Sequence, residues 1–72
     1  MSLLDSIAQA ELTVVDEELR LVYAWFGGPG VEVFDEDGRT VHHFTIAAGF
    51  TRKLTPQMVR AAIARVRQAN DE

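Results

Sequence analysis

Val31-Glu32-Val33-Phe34-Asp35-Glu36-Asp37-Gly38-Arg39-Thr40-Val41-His42-His43-Phe44-Thr45-Ile46 reads as two strands folded back on each other, and the rest of the chain is arranged around them. Both arms are rich in β-branched and aromatic residues, and a cluster of turn formers separates them. Asp37-Gly38 is the natural centre of a two-residue type I′ turn, with glycine supplying the positive φ. That turn sets Glu36 opposite Arg39, Phe34 opposite Val41, Glu32 opposite His43 and Val31 opposite Phe44. One face of the hairpin then carries Val31, Val33, Phe44 and Ile46, which makes it the core face. The other carries Glu32, Phe34, Glu36, Arg39, Val41 and His43.

Downstream, Ala47 to Leu54 is a connection. A helix follows, with Thr55 as N-cap and Pro56 in the first helical position, where its missing N–H costs nothing. At 100° per residue Met58, Val59, Ala62, Ile63, Val66 and Ala69 form one stripe wide enough to cover a small sheet. Arg60 and Arg67 lie off that stripe, and Arg65 sits at its edge with an aliphatic stem able to lie along apolar surface.

Upstream, Ser2 followed by Asp5 resembles a capping box and opens a short helix from Leu3 to Gln9, with Leu4, Ile7 and Ala8 on one stripe. Residues 11–26 admit two readings. Leu12, Val15, Leu19, Val22 and Phe26 recur at helical spacing, which permits one long helix ended by Gly27 and Pro29. Thr13-Val14-Val15 and the aromatic cluster Tyr23, Trp25 and Phe26 suit strands better, with Asp16-Glu17-Glu18 near a turn. The strand reading gives a single α+β domain over residues 1–72. Its order is a short N-terminal helix, a three- to four-stranded antiparallel β-meander, and a C-terminal amphipathic helix packed on one sheet face.

Which side chains of residues 19–26 join the second face depends on the loop through Gly27-Gly28-Pro29-Gly30. With four loop residues, Leu19, Leu21, Tyr23 and Trp25 lie beside Phe34 and Val41. With three or five, Val22, Ala24 and Phe26 take that place. Either way apolar side chains occupy both faces of the sheet, while one helix covers one face. The chain holds 25 apolar side chains larger than alanine and no cysteine, so neither disulfides nor thiolate metal sites support it. Either the N-terminal helix and residues 47–54 wrap over the second face, or a partner does.

Charge is unevenly placed within the net −4: residues 1–38 carry nine acids and one base, whereas residues 39–72 carry six bases and two acids. The longest apolar run, Leu21 to Phe26, is far short of the roughly 20 residues of a membrane span, which points to a cytoplasmic protein. No arrangement of nucleophile and base stands out. His42 and His43 are adjacent in a strand and point to opposite faces, so they do not chelate one ion together. The acidic turn lacks the ligand spacing of a calcium loop, and Gly27-Gly28-Pro29-Gly30 lacks the Lys-Ser/Thr of a phosphate loop.

The expectation is a non-catalytic protein-interaction or regulatory module without metal or cofactor. It binds a protein partner or a second copy through Tyr23, Trp25, Phe34 and Val41, with Glu32 and Glu36 at their rim. Compact chains of this kind are common among phage and prophage accessory proteins, a purely compositional association. The alternative is a nucleic-acid or anion binder using Arg52, Lys53, Arg60 and Arg67.

Overall fold

The computed structural model describes residues 2–46 and 54–70. The elements follow in the order α1 (Leu3–Ile7), β1 (Leu12–Asp16), β2 (Leu21–Trp25), β3 (Gly30–Phe34), β4 (Thr40–Thr45) and α2 (Pro56–Asn70). The four strands form one antiparallel sheet in sequence order, so β1 and β4 are its edges. The architecture is the expected α+β meander with a helix at each end, and residues 11–26 form strands and turns instead of one helix.

The turn between β1 and β2 spans residues 17–20 and is closed from within. Asp16 and Leu21 are paired, and Asp16 Oδ1 accepts the Leu19 N–H at 3.1 Å. Arg20 takes the left-handed conformation there (φ 56°) and reaches across to Glu36 in the β3–β4 turn, Nη1 to Oε1 at 3.2 Å.

Trp25 pairs with Val31, the last pair before the turn, so five residues, 26–30, lie between the paired positions even though β3 begins at Gly30. Gly27 sits at φ 95°, and the Trp25 indole N–H donates to the Gly28 carbonyl, tying the loop to the strand it leaves. An odd loop fixes the parity of β2. Tyr23 and Trp25 therefore share a face with Val33 and Val31, and Val22 and Ala24 turn to the other side.

In the hairpin from β3 to β4 the pairs Val31–Phe44 and Glu32–His43 form as expected, but the turn differs. Asp35 N–H donates to the Arg39 carbonyl (2.9 Å) and Gly38 N–H to the Asp35 carbonyl (3.1 Å), closing a three-residue loop. A type I′ turn needs positive φ at both Asp37 and Gly38, and only Gly38 has it, at 86°. Asp35 Oδ1 instead accepts the N–H groups of both Asp37 and Arg39, each at 2.9 Å, which holds the longer loop. The extra loop residue moves Phe34 opposite Thr40. Val41 is then one residue too many on β4, and this bulge restores the pairing from Val33–His42 onward. The expected pairs Phe34–Val41 and Glu36–Arg39 do not form for this reason.

The core lies between the sheet and α2. Val59 and Ile63, both fully buried, meet Leu12, Tyr23, Trp25, Val31, Val33 and Ile46, with Val14, Leu21, Phe44, Leu54, Ala62 and Val66 around them. The cap of α2 is as expected: Thr55 Oγ1 accepts the Met58 N–H at 3.2 Å, with Pro56 in the first turn. Met58, placed on the apolar stripe, is instead 46% exposed.

On the opposite face α1 lies over the β3–β4 turn. Ser2 caps it by accepting the Asp5 N–H (3.3 Å), and Ser6 Oγ donates to the Gly38 carbonyl (3.0 Å). Gly38 is pressed so closely on Ser2 and Leu3 that a Cβ there would lie 2.8 Å from their backbone atoms. The inward residues are Leu3, Ser6, Ile7 and Ala10, which follow helical spacing, while Leu4 is exposed. The expected stripe through Leu4 and Ala8 is thus rotated outward, because the contact with Gly38 fixes Ser6 on the inner side.

Candidate functional site

The residues expected to form an apolar patch on the outer face do not form one. Tyr23 is 1% and Trp25 5% exposed, and both belong to the core under α2. Their placement on the outer face required a four-residue loop, and the five-residue loop reverses it. Phe34 does lie on the outer face, paired with Val22, but both are buried, and Ser6 and Leu3 of α1 line the same surface hollows as Phe34 and Val22 respectively. Glu32 is half-buried between Ala24 and His43. Glu36 is exposed and engaged with Arg20. Of the apolar set only Val41, at the bulge, is open to solvent, 51% exposed. The alternative in which the chain covers its own second face thus holds for Val22, Ala24 and Phe34. The part of that reading that rests on residues 47–53 lies outside the described residues.

The basic set is also divided. Arg52 and Lys53 lie outside the described residues. Arg60 is exposed on α2. Arg67 is committed to the fold: its Nε donates to Asp16 Oδ2 at 3.0 Å, with the Asp16 side chain 7% exposed. The Asp16 carboxyl is held below its usual 3.8, chiefly because it accepts the Leu19 amide, with Arg67 adding to the effect and burial opposing it. Arg67 therefore serves as an internal counter-ion, and it does not form an anion site with Arg60.

The open surface lies at β4. No described strand pairs with its far side, and all its residues are exposed except Phe44, which is half-buried. The Ile46 N–H donates to the Pro29 carbonyl at 2.7 Å, which sets the alternation along the strand. Ile46, Phe44 and His42 turn their backbone groups towards β3, so those of His43 and Thr45 point outward. His42 and His43 lie on open surface and on opposite faces. His42 stacks over Phe44, centroids 6.5 Å apart, and His43 stands opposite Glu32.

Beside this edge runs a groove of about 350 Å³ between β4 and α2, with Phe44, Ile46, Met58, Val66 and Arg65 among its walls. The helical wheel explains it. Val59 and Ile63 point into the sheet, Arg67 falls on the flank nearest β1, and Met58 and Arg65 fall on the flank nearest β4. Ala61 and Ala62 keep that flank low, so the groove stays open. Neither β4 nor α2 contains an acidic residue, and none belongs to the groove's lining. Sequence reasoning placed Arg65 at the edge of the helical stripe and Met58 on the stripe itself; what it missed was that Met58 lies on the exposed flank and that this flank faces β4.

Among the described residues no group of three or more His, Asp or Glu side chains is placed to hold a metal ion, and no helix is long and apolar enough to cross a membrane. Comparison with protein-family models, with curated proteins and with solved structures finds no match.

Proposed function

We propose that the chain is a non-catalytic protein-interaction module that takes up an extended polypeptide segment along β4. The observation that carries this reading is the edge itself. It runs from Thr40 to Thr45, turns the backbone groups of His43 and Thr45 outward, and contains no lysine, carboxylate or proline. Soluble proteins ordinarily blunt such an edge with charge, proline or a covering element, because its backbone groups template pairing with another strand. Strand addition would satisfy those groups, and the groove beside β4 would receive the side chains that alternate towards α2. The surface differs from the outer sheet face first expected, and the class of function is the same.

The test is selection from a displayed library of short random peptides. It is run in parallel on the native chain and on His43→Pro, which removes an outward amide without removing a bond to β3. Peptides enriched on the native chain and lost on the variant support strand addition at β4. Enrichment that survives His43→Pro, or none on either chain, overturns it.

A further inference from the structure

The groove says more about its occupant than that it is extended. From the geometry of Arg65 we infer that the segment docking on β4 belongs to a different polypeptide and carries a carboxylate two residues from an apolar anchor. The inference rests on the edge-docking reading above and adds the chemistry of the ligand.

A strand laid beside β4 sends every second side chain towards α2, at intervals of about 7 Å. One such side chain meets Phe44, Ile46 and Met58, which together offer an apolar seat. The next, displaced along the strand, comes alongside Val66 and Arg65. Arg65 lies in the groove wall, and no carboxylate of the lining neutralises it. A guanidinium at the edge of an apolar groove favours a carboxylate and opposes a lysine, and its planar fork adds direction to that preference. His42 and His43 on the strand, and Arg39 just before it, add no negative charge to the approach.

A second copy fits this chemistry less well. An antiparallel joined sheet with two-fold symmetry needs β4 to meet β4, and that places a second Arg65 groove, with no acid among its described lining residues, on the same side of the joined sheet. The copy's β4, the strand that would lie beside the groove, brings no carboxylate to it. An acid-bearing strand of another protein supplies one directly.

The test uses three fluorescently labelled short peptides on the full chain, read by anisotropy. The first alternates threonine with valine and glutamate, the second has lysine in place of glutamate, and the third is the acidic peptide with a central proline. The acidic peptide is expected to bind, with the lysine peptide roughly tenfold weaker and the proline peptide without measurable binding. On Arg65→Glu, an exposed substitution that leaves the core intact, the order of the first two peptides should reverse. Equal affinity of the acidic and lysine peptides, on either chain, overturns the inference. So does a concentration-dependent dimer in sedimentation that the acidic peptide fails to dissociate, since the edge then belongs to a second copy. If the library selects neutral or basic peptides that His43→Pro abolishes, edge docking stands and the acidic specificity fails. If His43→Pro leaves all binding intact, both fail.

Discussion

The two edges of the sheet are built from similar strands and meet different fates. β1 and β4 are five and six residues long, both rich in β-branched residues and both without proline or lysine. β1 is drawn under the helix: Leu12 is part of the core, and Asp16 at its end is buried against Arg67 of α2. Among the described residues no strand pairs with the far side of β4, and its side chains are exposed except for Phe44, which is partly sheltered. The difference follows from widths. Four strands at about 4.8 Å spacing span on the order of 14 Å between outer strands, whereas one helix with its side chains is about 10 Å across. A single helix leaves one edge uncovered, and the ion pair between Asp16 and Arg67 ties the helix to β1. The greater exposure of the β4 side chains therefore follows from the helix being tied to the far side of the sheet by one buried carboxylate.

The largest break in this comparison comes from the helix face that covers the sheet. Ile63→Ala should cost about 2–5 kcal/mol, enough in a domain this small to unfold a large fraction of molecules. Met58→Ala, on the flank towards β4, should cost under about 1 kcal/mol. Urea unfolding followed by Trp25 fluorescence measures both. Equal effects would mean that α2 is not seated over β1, β2 and β3 as described.

Asp16→Asn addresses the tether directly and is expected to be milder than Ile63→Ala. Because the Asp16 carboxyl is lowered in the folded chain, its contribution to stability is complete above the unfolded value near 3.8 and is lost as pH falls through the folded value. Wild type should therefore lose stability between those two values more steeply than Asp16→Asn. Parallel pH profiles of the thermal midpoint would show that the pair with Arg67 and the Leu19 amide does not hold β1.

The edge itself predicts a smaller effect that alternates along the strand. His43→Pro should change stability by less than about 1 kcal/mol because its amide faces away from β3. Phe44→Pro should cost more, since it removes both a ladder hydrogen bond and a side chain packed on the core. Chemical denaturation of the two variants sets the order, and the reverse order would place the outward amides on the other residues.

Much of this comparison was legible from the residues. The run from Val31 to Ile46 with its acidic turn gave the central hairpin, and Thr55-Pro56 gave the start of α2, because turn chemistry and capping are local. The covered face was not legible, since it depends on whether the loop after β2 has an odd or even number of residues. That number is set by the Trp25 indole bonding to the Gly28 carbonyl and by the left-handed turn at Gly27. The error it produced moved Tyr23 and Trp25 from core to surface in one step, as any single-residue slip in a strand does. The bulge at Val41 was invisible for a related reason: it compensates a turn whose extra residue is held by the Asp35 side chain. Arg65 was legible at the edge of the helical stripe, whereas Met58 was read as part of the stripe and is exposed. Their position beside β4 required knowing that Arg67, on the opposite flank, is pulled to Asp16.

The most direct test of the open edge is amide hydrogen exchange of the free chain, resolved along β4 by NMR. The amides of His42 and Phe44, turned towards β3, should be protected, and those of His43 and Thr45 should exchange at nearly the rate of an unstructured chain. Protection of His43 and Thr45 in the free protein would contradict the account, because it would mean that the edge is already covered.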